Sequence, residues 1–237
     1  MRKNTLNLLF AAAAALAGTF AHAEPSRLFA QELGEVSKEV SVDLDYATGT
    51  SNGLAAGLRV GALGGEVLVN SKSSLDLAQS GFDAPNVGYK RVVAPRIAAY
   101  GILSYSKEDP PGPGANPPAR TNFAIGAAYT LHRRNLILTV NPEFVTDDGG
   151  TNGRGDENTI FIKAGVGYVA SQRYGRITLI GEVIGENNEN LGTVFNLGLR
   201  WEPRRNITLD AVVVNDRGSR GGSDTGVPGM IRLNVAF

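Results

Sequence analysis

The chain has 237 residues, with 23 Lys and Arg against 23 Asp and Glu, and it contains no cysteine. The balanced charge gives no basic footprint for nucleic acid, and the lack of cysteine excludes a disulfide framework and a thiolate metal site. A chain of this length suits one domain with a good core or one large all-β barrel.

Residues 1–23 have the pattern of a secretory signal peptide. Arg2 and Lys3 give a basic start, an apolar stretch follows, and Ala21-His22-Ala23 forms a small-x-small cleavage site. A membrane anchor fits less well, because the apolar stretch is shorter than a spanning helix requires. The sequence therefore predicts export across the inner membrane and cleavage after Ala23.

Residues 24–36 are predicted to form an N-terminal periplasmic lead-in. Phe29, Leu33 and Val36 follow one another at helical spacing. This spacing suits a short periplasmic helix or a plug, and a disordered lead-in is at least as compatible with the sequence.

From residue 37 onward, segments of about ten residues alternate apolar with polar or small side chains, which is the pattern of a transmembrane β-barrel. In one of them Ile207, Leu209 and Ala211 alternate with Thr208 and Asp210. The pattern predicts twelve strands, at 37–46, 54–62, 65–71, 86–93, 96–105, 121–131, 135–145, 159–169, 176–186, 193–201, 206–214 and 229–237. If the joins at 63–65 and 92–95 were strand instead of turn, the count would fall to ten.

The connectors between these strands alternate in length. Short ones lie at 132–135, 170–175 and 202–205, and longer ones rich in Gly, Asp, Asn and Pro lie at 106–120, 146–158, 187–191 and 216–228. Short periplasmic turns and long extracellular loops are typical of outer-membrane barrels. We therefore expect an up-and-down antiparallel meander.

Aromatic residues of the apolar parity fall into two bands, as expected at the two faces of a bilayer. Next to the long loops are Tyr46, Tyr105, Phe123, Phe144 and Phe195, and next to the short turns are Tyr129, Tyr168, Trp201 and Phe237. The strands of a soluble β-sandwich would also alternate apolar and polar residues, but that fold does not require aromatic residues in two bands or connectors of two lengths. The fold class predicted is all-β, a closed transmembrane barrel whose first strand pairs with its last, since an open edge in lipid leaves backbone groups unsatisfied.

The final strand carries apolar residues at alternate positions up to an aromatic terminus: Ile231, Leu233, Val235 and Phe237. Together with the signal peptide and the alternating strands, this strand resembles those of Gram-negative outer-membrane β-barrel proteins. In that family the barrel assembly machinery reads the terminal strand as its signal. The resemblance implies the cell outer membrane as the location, and that machinery, outer-membrane lipid and lipopolysaccharide as partners. No motif indicates a subfamily.

The sequence gives little support for an enzyme. His132 is the one histidine after the signal peptide, and it lies in a predicted turn beside two arginines, whereas a general base needs an orienting partner and a nucleophile within reach. The loop at 147–158 comes near a calcium-binding pattern with Asp148, Asn152 and Gly153, but it lacks a third ligand and the closing Glu. We expect no catalysis, no cofactor and no metal site.

Charges of both signs fall on the inward parity among many small residues. They are Asp43, Asp45, Arg59, Arg96, Glu143, Lys163, Glu182, Arg200, Asp210 and Arg232. A barrel of ten to twelve strands lies between the filled interior of eight strands and the open channel of 16 to 18. The sequence therefore predicts a narrow, weakly selective, porin-like diffusion channel for small polar solutes, lined by these residues. The alternative is a structural or adhesive barrel that acts through its extracellular loops and has no open pore, its interior charges satisfying one another.

Overall fold

The computed structural model of the chain describes residues 26–29, 31–48, 53–70, 86–107, 119–147, 157–187, 193–215 and 229–237. The predicted signal peptide lies outside these ranges. The described residues form twelve antiparallel strands in one closed barrel. The strands are β1 (Val40–Thr48), β2 (Gly53–Ala62), β3 (Gly65–Asn70), β4 (Asn86–Ala94), β5 (Ile97–Lys107), β6 (Ala119–Arg133), β7 (Leu136–Asp147), β8 (Glu157–Ser171), β9 (Arg176–Glu186), β10 (Val194–Arg204), β11 (Ile207–Asn215) and β12 (Gly229–Ala236).

The barrel closes through its first and last strands, as predicted. Each strand pairs with its neighbours in chain order, and β1 pairs with β12, with Leu44 opposite Leu233. The backbone amide of Phe237 also donates to the carbonyl of Val40 over 2.8 Å. The prediction of an all-β up-and-down barrel with twelve strands is therefore confirmed.

The two uncertain joins are both turns, which excludes the ten-strand alternative. Leu63 and Gly64 have φ angles of 54° and 72°, so both lie in the left-handed region that a tight hairpin requires. The other join ends β4 at Ala94, and β5 begins at Ile97.

Apolar side chains lie on the outside of the barrel and polar ones on the inside. On β10, Leu197 is 69% exposed, whereas its neighbour Asn196 is 3% exposed. The aromatic residues of the predicted bands that are exposed on the outer surface are Tyr46, Phe123, Phe144, Phe195, Tyr129, Tyr168 and Trp201. Phe237 is half-buried, and the side chain of Tyr105 is not among the described ones. A soluble protein rarely exposes so much contiguous apolar surface.

Pro142 does not cause the bulge that its missing amide donor suggests. Between β6 and β7, Gly126 lies opposite Glu143 and Tyr129 lies opposite Val140, so the register is the same on both sides of the proline. The two intervening pairs are missing from the ladder. The proline therefore interrupts the wall between β6 and β7 without shifting it.

The interior of the barrel is filled at one level by the residues that precede β1. Leu28, Phe29 and Leu33 form an apolar cluster with Ile137 and Ile180 of the wall. In the ranges given above, no helix is long and apolar enough to cross a bilayer.

Candidate functional site in the barrel lumen

Residues 26–29 and 31–36, here called the N-terminal segment, lie inside the barrel or at its short-turn mouth, a placement that corresponds to the plug given above as one alternative for the periplasmic lead-in at 24–36. The segment enters at the short-turn end, where the amide of Gly34 donates to the hydroxyl of Thr130 over 2.8 Å. A Cβ on Gly34 would overlap the backbone oxygen of Arg96, so glycine permits this close approach. Residues 24, 25 and 30 lie outside the described ranges.

Within the lumen the segment folds back on itself. The amide of Leu28 donates to the carbonyl of Gln31, and the amide of Leu33 donates to that of Ser26, both over 2.8 Å. These two bonds make a compact loop. The loop still leaves several backbone groups that need partners when they are buried.

Arginines of the wall satisfy the carbonyls of this loop. Arg200 on β10 donates through Nη1 to the carbonyl of Arg27 over 2.8 Å and through Nη2 to that of Leu28 over 3.0 Å. Arg232 on β12 donates through Nη1 to the carbonyl of Phe29 over 3.0 Å. The charged wall therefore takes part directly in binding the segment.

A carboxylate of the wall satisfies the amides. Oε1 of Glu182 on β9 accepts from the backbone amides of Phe29 at 3.0 Å and Gln31 at 3.2 Å. Its Oε2 accepts from Nδ2 of Asn196 at 2.7 Å. Charge-assisted bonds of this kind are stronger than neutral ones, so Glu182 is a principal anchor of the segment.

Glu32 lies in a cluster of buried charges on the opposite side of the loop. Its carboxylate is 2.6 Å from Nζ of Lys90 and 2.9 Å from Nη2 of Arg59. Glu66 accepts from Arg59 over 3.0 Å and from the hydroxyl of Ser26 over 2.8 Å. Burial alone would raise the pKa of Glu32, but the positive charges of Arg59 and Lys90 outweigh it and hold that pKa well below its usual range.

A further set of ion pairs runs around the wall beside the segment. Arg27 lies 2.6 Å from Asp43, and it joins the segment to β1. Within the wall, Arg200 pairs with Asp210 on β11 at 2.8 Å. Arg200 and Asp43 belong to the wall, and each also bonds to the segment. The segment and the wall therefore share one network of charges.

A third cluster involves no residue of the N-terminal segment. Oε2 of Glu143 on β7 accepts from the hydroxyl of Tyr100 and from Nζ of Lys163, in each case over 2.7 Å. All three side chains are buried. Glu143 and Lys163 neutralise each other between β7 and β8, and Tyr100 joins β5 to the same carboxylate.

The structure places nine of the ten predicted pore-lining residues on the inner wall. These are Asp43, Asp45, Arg59, Glu143, Lys163, Glu182, Arg200, Asp210 and Arg232, all buried except Asp45, which is half-buried. Arg96 is the exception, because it lies in the turn between β4 and β5 with a φ of 68° and is exposed. That these residues line an open pore stays a prediction.

Sequence reasoning missed two buried charged residues of the wall and two of the segment. Glu66 and Lys90 are fully buried on the short strands β3 and β4. Their neighbours of opposite parity, such as Val67 and Tyr89, are apolar, so the alternation of the two strands already indicated that Glu66 and Lys90 face inward. Nothing in the sequence indicated that Arg27 and Glu32 would be buried.

The described residues contain no group of three or more His, Cys, Asp or Glu that could bind a metal ion. The near-calcium pattern at 147–158 lies mostly outside them. His132 is exposed at the short-turn end, where its Nε2 lies 2.8 Å from Oε1 of Glu35.

The segment leaves a pocket between itself and the wall at the short-turn end. This pocket has a volume of about 280 Å³, with Leu33, Ile137 and Ile180 on its apolar sides and His132 and Glu202 among its polar residues. On the β1 and β12 side, the space beside Arg27 is only about 30 Å³. The segment therefore narrows the lumen at its own level.

The closed, even-stranded wall has an apolar outside and a charged inside, which is the arrangement that a bilayer requires of a strand-built protein. The chain has the fold of an outer-membrane β-barrel protein.

No family model and no curated protein matches the chain of this barrel. Among solved structures, it is similar to the NanC porin, with 13% identity and a TM-score of 0.49. It is also similar to the in-vitro folded OmpT, an outer membrane protein of Vibrio cholerae, in its trimer form, with 8% identity and a TM-score of 0.40. Each match covers 84% of this chain and 98% of the other. Likeness at this level carries no argument about function, which must come from the lumen itself.

Proposed function

We propose that this barrel is a narrow, weakly selective, porin-like diffusion channel for small polar solutes in the cell outer membrane, and that the N-terminal segment is its closing element. The observation that carries the proposal is the way in which the segment is bound. Its backbone is held by Glu182, Arg200 and Arg232 of the wall, and it belongs to no strand.

A segment bound in this way can leave without unfolding the barrel. The strands pair with one another in a closed ring that does not include residues 26–36. The hydrogen bonds to the wall are polar, so the charged groups that the segment leaves behind can be hydrated by water entering the lumen, whereas the apolar contacts of Leu28, Phe29 and Leu33 with the wall oppose its release. Hydrogen bonds to charged groups contribute about 1.5 to 3 kcal/mol each, so together they favour the closed state.

The wall that would then face the solution carries both signs of charge. Arg59 and Lys90 would lose their carboxylate partner Glu32, and Glu182 would lose two amide donors. A lumen with cationic and anionic groups on different strands favours hydrated polar solutes over apolar ones without strong selection between cations and anions. This supports weak selectivity.

A second candidate is a structural or adhesive barrel that acts through its extracellular loops. It is favoured by the third cluster, in which Oε2 of Glu143 accepts from both Tyr100 and Lys163 without the segment. A lumen packed in this way would stay closed even after the segment has left. The long loops on which this function would depend lie mostly outside the described residues.

For either function we propose no catalysis and no cofactor. The proposed location follows from the barrel fold and the predicted signal peptide. The proposed partners are outer-membrane lipid, lipopolysaccharide and the barrel assembly machinery, which would read Ile231, Leu233, Val235 and Phe237 on β12.

Single-channel recording in planar bilayers tests the channel proposal. The full-length mature barrel is compared with a variant lacking residues 24–33, and the deletion is expected to increase the time spent in an open state. The control is a disulfide tether made by Gln31→Cys with Gly165→Cys. A Cβ on Gly165 would lie 3.1 Å from Cδ of Gln31, and the chain has no cysteine of its own to compete.

The tethered variant is expected to stay closed when oxidised and to behave like the wild type after reduction. Tethering therefore tests the closing role without deleting anything. If neither the wild type nor the folded deletion variant gives conductance steps above the bilayer background, the channel proposal is wrong and the closed-barrel candidate takes its place.

A further inference from the structure

One charged residue lies on the lipid-facing surface away from the strand ends. Arg91 of β4 is exposed, and its strand partner is the outward-facing Ala99. Among outward-facing positions of the described strands, it is the one charged residue more than two residues from a strand end. A charge on this surface costs about 2 to 4 kcal/mol near the middle of a bilayer and little near its faces. Such a residue is a candidate for a functional site.

Arg91 lies at the edge of a groove on the same surface. The groove has a volume of about 720 Å³, within the range of small-molecule sites. Its floor follows the cross-strand pairs that join Arg91 to Ala99 and Ala99 to Ala127, with Gly101 beside them. Ala99, Gly101 and Ala127 have little or no side chain, so the surface is recessed there.

Large apolar side chains border the groove. The next row of pairs places Ile125 opposite Phe144, and Phe144 opposite Ile160 on β8. Ile125 and Ile160 are each 47% exposed, and Phe144 is 36% exposed. Pro142, where the pairing between β6 and β7 is interrupted, also lines the groove. The result is an apolar trough with a single cation at one edge.

The position of that cation fits the depth of a lipid headgroup. Arg91 is three residues from Ala94, the end of β4 at the short-turn side, which is about 10 Å along the strand. A long arginine side chain can leave its apolar stem on the surface and extend its guanidinium towards the headgroups. The large apolar border lies on the side of Arg91 that faces away from the short turns, towards the middle of the bilayer.

We propose that this groove binds one anionic phospholipid of the periplasmic leaflet, with its phosphate on Arg91 and an acyl chain in the trough. The guanidinium offers paired donors that match phosphate oxygens. The trough offers apolar contact to the chain. The site stands on the outer wall, so it exists whether or not the lumen conducts.

Native mass spectrometry of the full-length mature barrel in detergent, with dioleoyl phosphatidylglycerol added, tests the proposal. We expect the wild type to retain one lipid. Arg91→Gln, which removes the charge, and Ala127→Leu, which fills the floor, should each lower the bound fraction at least about tenfold. Arg133→Gln is the matched control, because Arg133 is exposed at an outward-facing position but ends its strand. It should bind like the wild type.

Circular dichroism confirms that each variant is folded, and Ala99→Leu replaces Ala127→Leu if the latter does not fold. Inorganic phosphate added in excess should not displace the lipid, since a free ion makes no contact with the trough. Equal retention by Arg91→Gln and Arg133→Gln would overturn the proposal. So would a dimer that forms in place of lipid binding and is lost in the same variants, because the occupant would then be a second copy of the chain.

Discussion

The two faces of the barrel wall are made by the same strands, yet the outer face makes apolar contacts with its surroundings and the inner face makes specific hydrogen bonds and ion pairs. On β10 the outward Leu197 is exposed and forms no specific bond, whereas the inward Asn196 is buried and donates to Glu182. The outer face needs only to be apolar, because its contacts with lipid chains involve no directional hydrogen bonds. The inside needs particular partners, because each buried polar group must find one.

This difference means that the outer face tolerates apolar exchange and the inner face does not. One apolar side chain can replace another on the outside with little change in contact with lipid. On the inside, each charge belongs to a network in which removing one member leaves the others unpaired. Substitutions on the two faces should therefore differ in size and in cause.

The largest effect is expected from breaking the inner network at Arg200. Arg200→Met leaves Asp210 and two carbonyls of the segment without their donor. Removing one partner of a buried ion pair costs about 3 to 5 kcal/mol in free energy of unfolding. Urea unfolding in lipid vesicles, followed by the fluorescence of Trp201, measures it, since the chain contains one tryptophan.

The exposed turn residue Arg205 gives a matched control for this measurement. Arg205→Met should stay within about 0.5 kcal/mol of the wild type. A loss of similar size at both positions would mean that the charge itself, and not its burial in the network, determines stability.

The next prediction compares the free energy of unfolding after the same substitution at two neighbouring residues, one on each face. Leu197→Arg, which places a charge in lipid, is expected to cost about 2 to 4 kcal/mol if the residue lies near mid-bilayer. Asn196→Arg places the same group beside the carboxylate of Glu182 and should cost much less. Unfolding in vesicles measures both variants, and equal costs would show that the faces are wrongly assigned.

The smallest effect is the dependence of segment docking on pH. Docking lowers the pKa of Glu32 below its ordinary value of 4.5, because Arg59 and Lys90 outweigh the effect of burial. The attraction is therefore complete above pH 4.5 and is lost as the pH falls below it, by at most about 1.4 kcal/mol for each pH unit.

Hydrogen exchange of the segment's amides measures docking. At neutral pH, Glu32→Gln should be less protected than the wild type, and the two should converge as the pH falls below 4.5. Comparing the two proteins at the same pH removes the pH dependence of the exchange chemistry itself. A difference that persists unchanged at low pH would mean that the charge of Glu32 does not hold the segment.

The strands and their faces could be predicted because the information is local. Alternation of period two places Leu197 outside and Asn196 inside whatever the neighbouring strands are. Closure was equally predictable, since a barrel in lipid cannot leave β1 and β12 unpaired. Arg96 was assigned wrongly because it follows Pro95 at a tight turn, where alternation no longer applies.

The place of the N-terminal segment could not be predicted, because its partners are not local. Glu32 contacts Arg59 on β2, Lys90 on β4 and Asn141 on β7, three strands that come together only in the closed barrel. An irregular segment carries no periodicity that would indicate such a surface. Its helical spacing at Phe29, Leu33 and Val36 does not correspond to a helix in the structure.

The position of the segment inside the closed ring has a consequence for the order in which the chain folds. The segment directly precedes β1, yet Arg232, which binds the carbonyl of Phe29, lies 203 residues further along. The segment's binding surface is complete only once β12 has joined β1. Contacts across so long a stretch of chain form late, because the loop must close before they contribute. Docking of the segment therefore follows closure of the barrel and marks the completion of the fold.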